Sequence, residues 1–152
     1  MGPRTTLALV GLFCVTTMFS TVRASCPATT LENQFMSSAA VFVGRATNQQ
    51  VVPATHNPSE RVTETTFEVE DRWKGPSETT VRIQTCGWTL GNESVTCSEG
   101  FRFSVGDRYL VFAAGQPLET SACVSTERVD RAERTLQWLS DKPHKKNQRL
   151  PD

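Results

Sequence analysis

The sequence lacks an excess of charge of either sign, and this absence argues against a nucleic-acid partner. Its 152 residues include 16 Lys and Arg and 16 Asp and Glu. A protein that follows the phosphates of a nucleic acid carries a clear excess of basic residues. We therefore expect no nucleic-acid partner. The length allows one domain of ordinary size and is too short for a two-domain enzyme.

The sequence also lacks an apolar run long enough to cross a bilayer comfortably. Its longest run, Leu7 to Phe19, comes after Arg4 and before Val22-Arg23-Ala24. A basic residue, a short apolar run and small residues before a cut are typical of a secretory signal peptide. We therefore predict cleavage after Ala24, with residues 1–24 as the signal peptide and no membrane anchor. The exported protein would be extracellular, or periplasmic if its source is a Gram-negative bacterium.

Residues that commonly carry out catalysis are scarce. Of the two histidines, His56 falls in a proline-bounded loop and His144 in a basic tail, and neither belongs to a motif that would orient it. The sequence contains no nucleophile elbow, phosphate-binding loop or metalloprotease helix. Glu64, Glu68 and Glu70 share the wet face of one strand, without the apolar pocket that paired catalytic acids need. We therefore expect a protein that is not an enzyme and uses no cofactor.

The cysteines indicate disulfides and no metal site. Cys14 leaves with the signal peptide, and the four that remain are Cys26, Cys86, Cys97 and Cys123. An even number of cysteines in an exported protein favours disulfide bonds. A zinc site needs closely spaced pairs, whereas even Cys86 and Cys97, the nearest pair, are separated by ten residues. We predict two bridges, and four cysteines allow three connectivities.

Apolar residues recur with the period of a β-strand through most of residues 25–140. From Thr63 onward, every second residue is Thr, Phe or Val and the residues between are mostly Glu, which predicts a strand with one wet face. The segment before Ala114 is almost entirely apolar and predicts a strand buried on both faces. Strands are predicted over residues 40–46, 63–73, 79–85, 108–114 and 118–124. Five or six strands favour a mainly β domain, a small closed or nearly closed barrel.

A helix is predicted at each end of the domain. Thr29 and Glu32 have the spacing of a capping box, so a short helix should begin near Thr29 and end near Ala39. A second helix is predicted over about Glu127 to Ser140, capped by Ser125 or Thr126. The basic tail, residues 141–152, has nothing to bury and is expected to be disordered.

Two polar segments are predicted to lack strands. Residues 49–61 contain Pro53 and Pro58, which cannot donate hydrogen bonds to a sheet, so this segment should be a loop between two strands. Residues 91–100 are polar and rich in turn-forming residues, so they should form a turn after the strand that ends at Cys86.

Several short segments follow one another in an order that has a counterpart in a known family. They are Cys26-Pro27, Val41 to Ala46, Phe67-Glu68-Val69 through Trp73-Lys74-Gly75-Pro76, Glu93 to Cys97, Val105 to Val111 and Thr120 to Cys123. Together they resemble the inhibitory domain of the tissue inhibitors of metalloproteinases, over about residues 26–126. The resemblance implies a netrin-like OB-fold barrel that inhibits by wedging its N-terminus into the enzyme cleft.

The chain departs from this family at the wedge itself. The family begins with Cys-x-Cys, and its first Cys coordinates the catalytic zinc of the enzyme. Here Cys26 matches the second of those cysteines, and Ser25 takes the position before it. In the family the second Cys is bonded to the position matched by Cys123, so the resemblance implies a Cys26 to Cys123 bridge. It leaves Cys97 without its family partner, and the additional Cys86 would pair with it.

The resemblance implies a function for the mature N-terminus. We expect a secreted, monomeric inhibitor, or inhibitor-like binder, of secreted zinc metalloproteinases. The residues that would contact the protease are Ser25, Cys26 and Pro27 beside Ser94 and Val95. The alternative is a secreted netrin-like module that binds another protein and does not inhibit proteases.

N-terminal sequencing of the exported protein tests the cleavage site. We expect the mature chain to begin at Ser25, because Val22 and Ala24 supply the small residues that precede a cut. A mature chain that begins at Cys26 would restore an N-terminal cysteine, as in the family. Retention of residues 1–24 would contradict export by this signal.

Overall fold

A computed structural model describes residues 26–143 and, for the backbone, residues 145–146. The predicted signal peptide, Ser25 and most of the predicted basic tail lie outside these described residues. In chain order the elements are α1 Leu31–Ser37, β1 Ala40–Pro53, β2 Arg61–Lys74, β3 Thr80–Thr85, β4 Trp88–Leu90, β5 Glu93–Val95, β6 Arg108–Ala113, β7 Glu127–Arg128, α2 Glu133–Ser140 and β8 Lys145–Lys146. The described chain is therefore mainly β, with two short helices, in agreement with the predicted class.

One antiparallel sheet contains most of the strands, in the order β3-β2-β1-β6-β7. Strands β1 and β2 each have 14 residues and pair along their full length. Strand β8 pairs with β2, and β4 and β5 form a separate two-stranded sheet. The pairing of β1 with β2 shifts register between Val43 and Gly44, which indicates a β-bulge at this point.

Strand β6 and the first half of β1 are buried on both faces, and they separate two apolar clusters. On one face, Phe42 and Val111 belong to a cluster formed by β1, β2, β3 and β6. On the other face, Val41 and Leu110 belong to a second cluster against which the two helices pack. The almost continuous apolar sequence of β6 is thus explained by burial on both sides, as the sequence predicted.

Phe67 of β2 lies at the centre of the first cluster and is fully buried. Its ring contacts those of Phe42, Phe103 and Tyr109 edge to face, at centroid distances of 5.7, 4.8 and 6.3 Å. Edge-to-face contacts add to the stabilisation from burial. Phe103 lies in the segment between β5 and β6, so this cluster also fixes the chain that enters β6.

The second cluster holds the two helices against the sheet through apolar contacts and specific polar ones. The Trp73 Nε1–H group at the end of β2 donates a hydrogen bond to the Leu139 carbonyl of α2, at 2.9 Å. The Lys74 ammonium group donates to the Phe35 carbonyl at the end of α1, at 2.8 Å, where carbonyls lack helical partners. The end of β2 therefore positions both helices.

The strand ladders do not close into a barrel within the described residues, so the predicted closed or nearly closed barrel is not confirmed. The predicted strand over residues 118–124 is wrong, because Glu119 forms only isolated bridges. Glu119 exchanges two backbone hydrogen bonds with Ala114, at 2.8 and 2.9 Å. Gln84 of β3 donates to the Leu118 carbonyl at 2.8 Å. Residues 118–120 therefore lie between the end of β3 and the end of β6.

The predicted second helix is too long at its N-terminal end. Glu127 and Arg128 instead extend the sheet as β7, where they pair with Leu110 and Tyr109 of β6. The helix α2 begins at Glu133, and Ala132 before it provides no side-chain cap. The Thr126 hydroxyl, which was predicted as a cap, is hydrogen-bonded to β6. Sheet pairing therefore competes successfully with helical periodicity here.

Two other boundaries differ from the predictions. The helix α1 begins after Thr30, whose hydroxyl accepts from the Asn33 N–H group at 3.2 Å, so Thr30 is the cap rather than Thr29. Strand β1 continues to Pro53, although the sequence predicted a loop from Gln49. Its polar outer half pairs with β2, whose alternating pattern was recognised.

Replacement of Phe67 by Ala tests the importance of the aromatic cluster. We expect Phe67→Ala to lower the free energy of unfolding by about 3 to 5 kcal/mol, because it removes a fully buried ring and leaves a cavity. Met36→Ala is the matched control, since Met36 is 67% exposed and its loss should change stability by less than about 0.5 kcal/mol. Denaturant unfolding with intact disulfides measures both. Equal losses would contradict the proposed core.

Candidate binding edge at the N-terminal segment

The chain enters the described structure as an exposed segment without regular secondary structure. This N-terminal segment, Cys26 to Thr30, is exposed at all five positions. It ends where Thr30 caps α1. Pro27 fixes one backbone torsion within it and removes one N–H group. Ser25, the first residue of the predicted mature chain, lies outside the described residues.

A disulfide holds this segment at its first described residue. Cys26 is bonded to Cys123, at a sequence separation of 97 residues, and their Cα atoms are 5.2 Å apart. This is the pairing that the resemblance implied. Cys123 belongs to the stretch from Thr120 to Thr126, which we call the anchor loop. The position of the N-terminal segment therefore depends on how firmly the anchor loop is held.

Two buried threonines attach the anchor loop to β6. The Thr126 hydroxyl accepts from the Phe112 N–H group at 2.9 Å, and the Thr120 hydroxyl donates to the Phe112 carbonyl at 2.7 Å. The two hydroxyls are 2.8 Å apart. Both side chains are thus fully partnered although buried, which avoids the free-energy cost of an unpaired buried hydroxyl. Both ends of the anchor loop are fixed to one residue of the core strand.

Further hydrogen bonds hold the middle of the anchor loop. The Ser125 N–H group donates to the side-chain carbonyl of Gln34 in α1, at 2.7 Å. The Ala122 N–H group donates to the Glu99 carbonyl, at 2.8 Å. The first contact ties the loop to the helix that follows the N-terminal segment. The second ties it to the segment that carries the other disulfide.

The second disulfide joins the end of β3 to the segment after β5. Cys86 is bonded to Cys97, at a sequence separation of 11 residues. Gly100 follows in a tight turn, since its N–H group donates to the Cys97 carbonyl at 3.1 Å. A Cβ atom at Gly100 would lie 2.7 Å from the Cys86 carbonyl oxygen, so no other residue fits without displacement of backbone. This bridge therefore forms a close backbone junction.

Between the two bonded cysteines the chain forms a hairpin of β4 and β5, in which Trp88 pairs with Val95 and Thr89 with Ser94. The polar turn predicted here is therefore wrong, since the segment forms two short paired strands. Gly91 and Asn92 connect the strands, and Gly91 has a φ of 60°. A Gly-Asn pair between two short segments is a recognised hairpin signal, which could have revealed it. Ser94 is exposed, and Val95 is 46% exposed.

The structure links the two predicted groups of site residues through the anchor loop. The first group, Cys26 and Pro27, is joined to Cys123 by the disulfide. Ala122, the residue before Cys123, donates a backbone hydrogen bond to Glu99. Glu99 follows Cys97 by two residues, and Ser94 and Val95 precede it in β5. The candidate binding edge therefore consists of the N-terminal segment, the anchor loop and the β4–β5 hairpin.

The described residues offer little else that suggests chemistry. They contain no group of three or more His, Cys, Asp or Glu side chains placed to hold a metal ion. His56 lies 3.6 Å from Glu60 in the loop between β1 and β2, and both side chains are mostly exposed. Glu70, on the wet face of β2, is paired with Arg108 at 2.9 Å. In the described part of the chain, no helix is long and apolar enough to span a membrane.

One charge cluster lies at the edge where β6 meets β7. Hydrogen bonding to Asp130 and the nearby charge of Asp107 raise the pKa of Arg128 above its ordinary value. Arg128 contacts Asp107 at 2.8 Å and Asp130 at 3.2 Å. This guanidinium is solvated, and its partners connect β7 to the turn before β6. The cluster therefore has a structural explanation.

Comparison with known proteins finds no matching family model and no matching curated protein.

Removal of each disulfide tests which bridge contributes more to stability. We expect Cys26→Ser with Cys123→Ser to lower the free energy of unfolding by roughly 4 to 5 kcal/mol, because this bridge restricts a long loop of the unfolded chain. Cys86→Ser with Cys97→Ser should cost roughly 3 kcal/mol, because its loop is short. Denaturant unfolding measures both. A larger loss from the second pair would contradict this order.

Proposed function

We propose that this chain is a secreted inhibitor, or inhibitor-like binder, of zinc metalloproteinases and that it presents its mature N-terminus to the enzyme. The observation that supports this most directly is the exposed N-terminal segment held by a disulfide to a firmly attached loop. A binding segment that is already held in place loses less conformational entropy when it enters a cleft. The resemblance to the tissue inhibitors of metalloproteinases supports the same function.

We also propose that the domain is an OB-fold-like barrel, closed by single bridges rather than by full strands. Glu119 is parallel to Gln84 at the end of β3 and antiparallel to Ala114 after β6. These bridges join the two sides of the open sheet. Five strand positions arranged in a nearly closed ring are typical of a small OB-fold barrel.

The free amine of Ser25 is the proposed contact with the catalytic zinc of the protease. A nitrogen binds zinc only when unprotonated, and an α-amine has a pKa of about 7.7 to 8.0. The metal therefore competes with a proton near neutral pH, so binding should strengthen as the pH rises through this range. The Ser25 carbonyl would be a second ligand, provided that Cys26 and Pro27 hold the backbone in place.

The departure from the family pattern predicts weaker or narrower inhibition. In the family a disulfide ties the first residue to the position matched by Cys97, whereas here Cys97 is bonded to Cys86. The N-terminal segment is tied to that region through Cys123 and the Ala122 to Glu99 hydrogen bond instead. This connection begins at the position of the family's second cysteine, two positions after the first. Because the family's first disulfide has no counterpart here, we expect inhibition of few enzymes or at lower affinity.

A secreted binding module without protease inhibition is the second candidate. The hairpin favours it, because Leu90 and Val95 are 51% and 46% exposed although both are apolar. Apolar side chains exposed together are frequent at protein-binding surfaces. On this alternative the hairpin, rather than the Ser25 amine, would provide the contact.

Extension of the mature N-terminus tests the role of the Ser25 amine. We compare the mature chain with the same chain carrying one additional N-terminal Ala, and with a carbamylated form, against several secreted zinc peptidases. Both changes should lower inhibition by at least about tenfold, because they displace or remove the nitrogen that would bind zinc. Inhibition constants provide the measurement.

The matched control is Met36→Ala, which changes an exposed residue on α1, outside the candidate binding edge. It should inhibit as well as the mature chain. Equal potency of all N-terminal forms would exclude zinc binding by the amine. No inhibition by any form would contradict the inhibitor function and leave the binding module.

A further inference from the structure

A cleft of about 520 Å³ lies between the outer ends of the first three strands and the β4–β5 hairpin. This volume is within the range of pockets that bind small molecules. Its floor includes Val51, Thr63 and Thr85, which are cross-strand neighbours on β1, β2 and β3. The cleft therefore lies at the end of the sheet, beyond the aromatic cluster of the core.

The lining of this cleft combines aromatic and aliphatic side chains with uncharged polar ones. Trp88 and Leu90 of the hairpin line it, as do Phe101 and Phe103 from the segment before β6. Phe103 is 5% exposed and joins the cleft to the core, whereas Leu90 is 51% exposed. A ligand with an apolar body would cover these side chains and release the water that contacts them.

The cleft has a single charged residue in its lining, the cation Arg102. One Arg102 nitrogen donates to the Thr96 hydroxyl at 3.2 Å, and Thr96 also lines the cleft. Arg102 has no carboxylate partner within 4.0 Å in the described part of the chain, unlike Arg108 and Arg128. Its guanidinium group therefore retains donors for an external anion.

Covalent and hydrogen bonds hold the hairpin over the floor of the cleft. Cys86 and Cys97, at the two ends of the hairpin, are bonded to each other and line the cleft. The Thr63 hydroxyl on the floor donates to the Gly87 carbonyl at 2.7 Å. The shape of the cleft is thus largely formed before any ligand binds, which lowers the entropic cost of binding.

We propose that this cleft binds a small amphiphilic carboxylate, with its aliphatic or aryl body against Trp88 and Phe101 and its carboxylate at Arg102. The combination of aromatic and aliphatic side chains with one cation and no acid in the lining favours an anion that carries an apolar body. The cleft shares the β4–β5 hairpin with the candidate binding edge, but this proposal does not depend on the proposed contact with a protease, since the Ser25 amine takes no part in it.

Titration of the mature protein with sodium octanoate tests this proposal, with nuclear magnetic resonance as the readout. The three tryptophans give three indole N–H signals, and Trp88→Phe identifies the one that reports the cleft. Octanoate should shift the Trp88 signal, and the shift should reach a plateau as the octanoate concentration rises. The Trp73 indole is bonded to Leu139 in the second cluster, and Trp138 packs there as well, so both signals should stay in place.

Arg102→Gln should weaken octanoate binding about fivefold, the effect expected of an ion pair at a solvent-accessible site. The matched control is Arg82→Gln, because Arg82 is exposed on β3 and does not line the cleft. It should leave the affinity unchanged. Octanol, which has the same chain without charge, should bind Arg102→Gln and the unmodified protein equally well.

Four results would overturn the proposal. They are the absence of a saturable shift, equal shifts of all three indole signals, equal affinity of the unmodified protein for octanol and octanoate, and equal octanoate affinity of Arg102→Gln and the unmodified protein. Unchanged Trp73 and Trp138 signals in Arg102→Gln would establish that the variant is folded, so a loss of affinity can be assigned to the charge.

Discussion

The disulfide between Cys26 and Cys123 is the constraint on which the candidate binding edge depends. It is effective because the anchor loop is itself fixed to the core, where the hydroxyls of Thr120 and Thr126 satisfy both polar groups of the Phe112 backbone. A bridge to a mobile loop would leave the exposed N-terminal segment free. Here two hydroxyl groups fix the anchor loop to a buried strand, and one covalent bond fixes the exposed N-terminal segment to the anchor loop.

Burial was the part of the fold that the sequence predicted best. The alternation through Phe67 arises because that strand has one solvent-facing side. The apolar run through Leu110 arises because that strand is buried on both faces. The ends of strands and helices were predicted less well in polar segments, where no apolar pattern marks them. Strand β1 continues past Gln49 because its partner β2 is regular there, and Glu127 joins the sheet because β6 offers an unpaired edge.

The candidate site could be predicted only in part, because most of its contacts join residues that are distant in sequence. The pairing of Cys26 with Cys123 followed from the resemblance alone, since cysteine spacing leaves three connectivities. The hydrogen bond from Ala122 to Glu99 and the role of Thr126 depend on the folded chain and leave no local pattern. The β4–β5 hairpin was missed because three-residue strands are too short to show a period.

Hydrogen–deuterium exchange of the mature protein, with and without each of several secreted zinc peptidases, tests the proposed binding edge most directly. The amides of residues 28–30 and 94–99 are in exposed or partly exposed parts of the chain. The account predicts that at least one peptidase slows exchange in both segments together, because both would be covered in the complex. Unchanged exchange in both segments with every peptidase would contradict it.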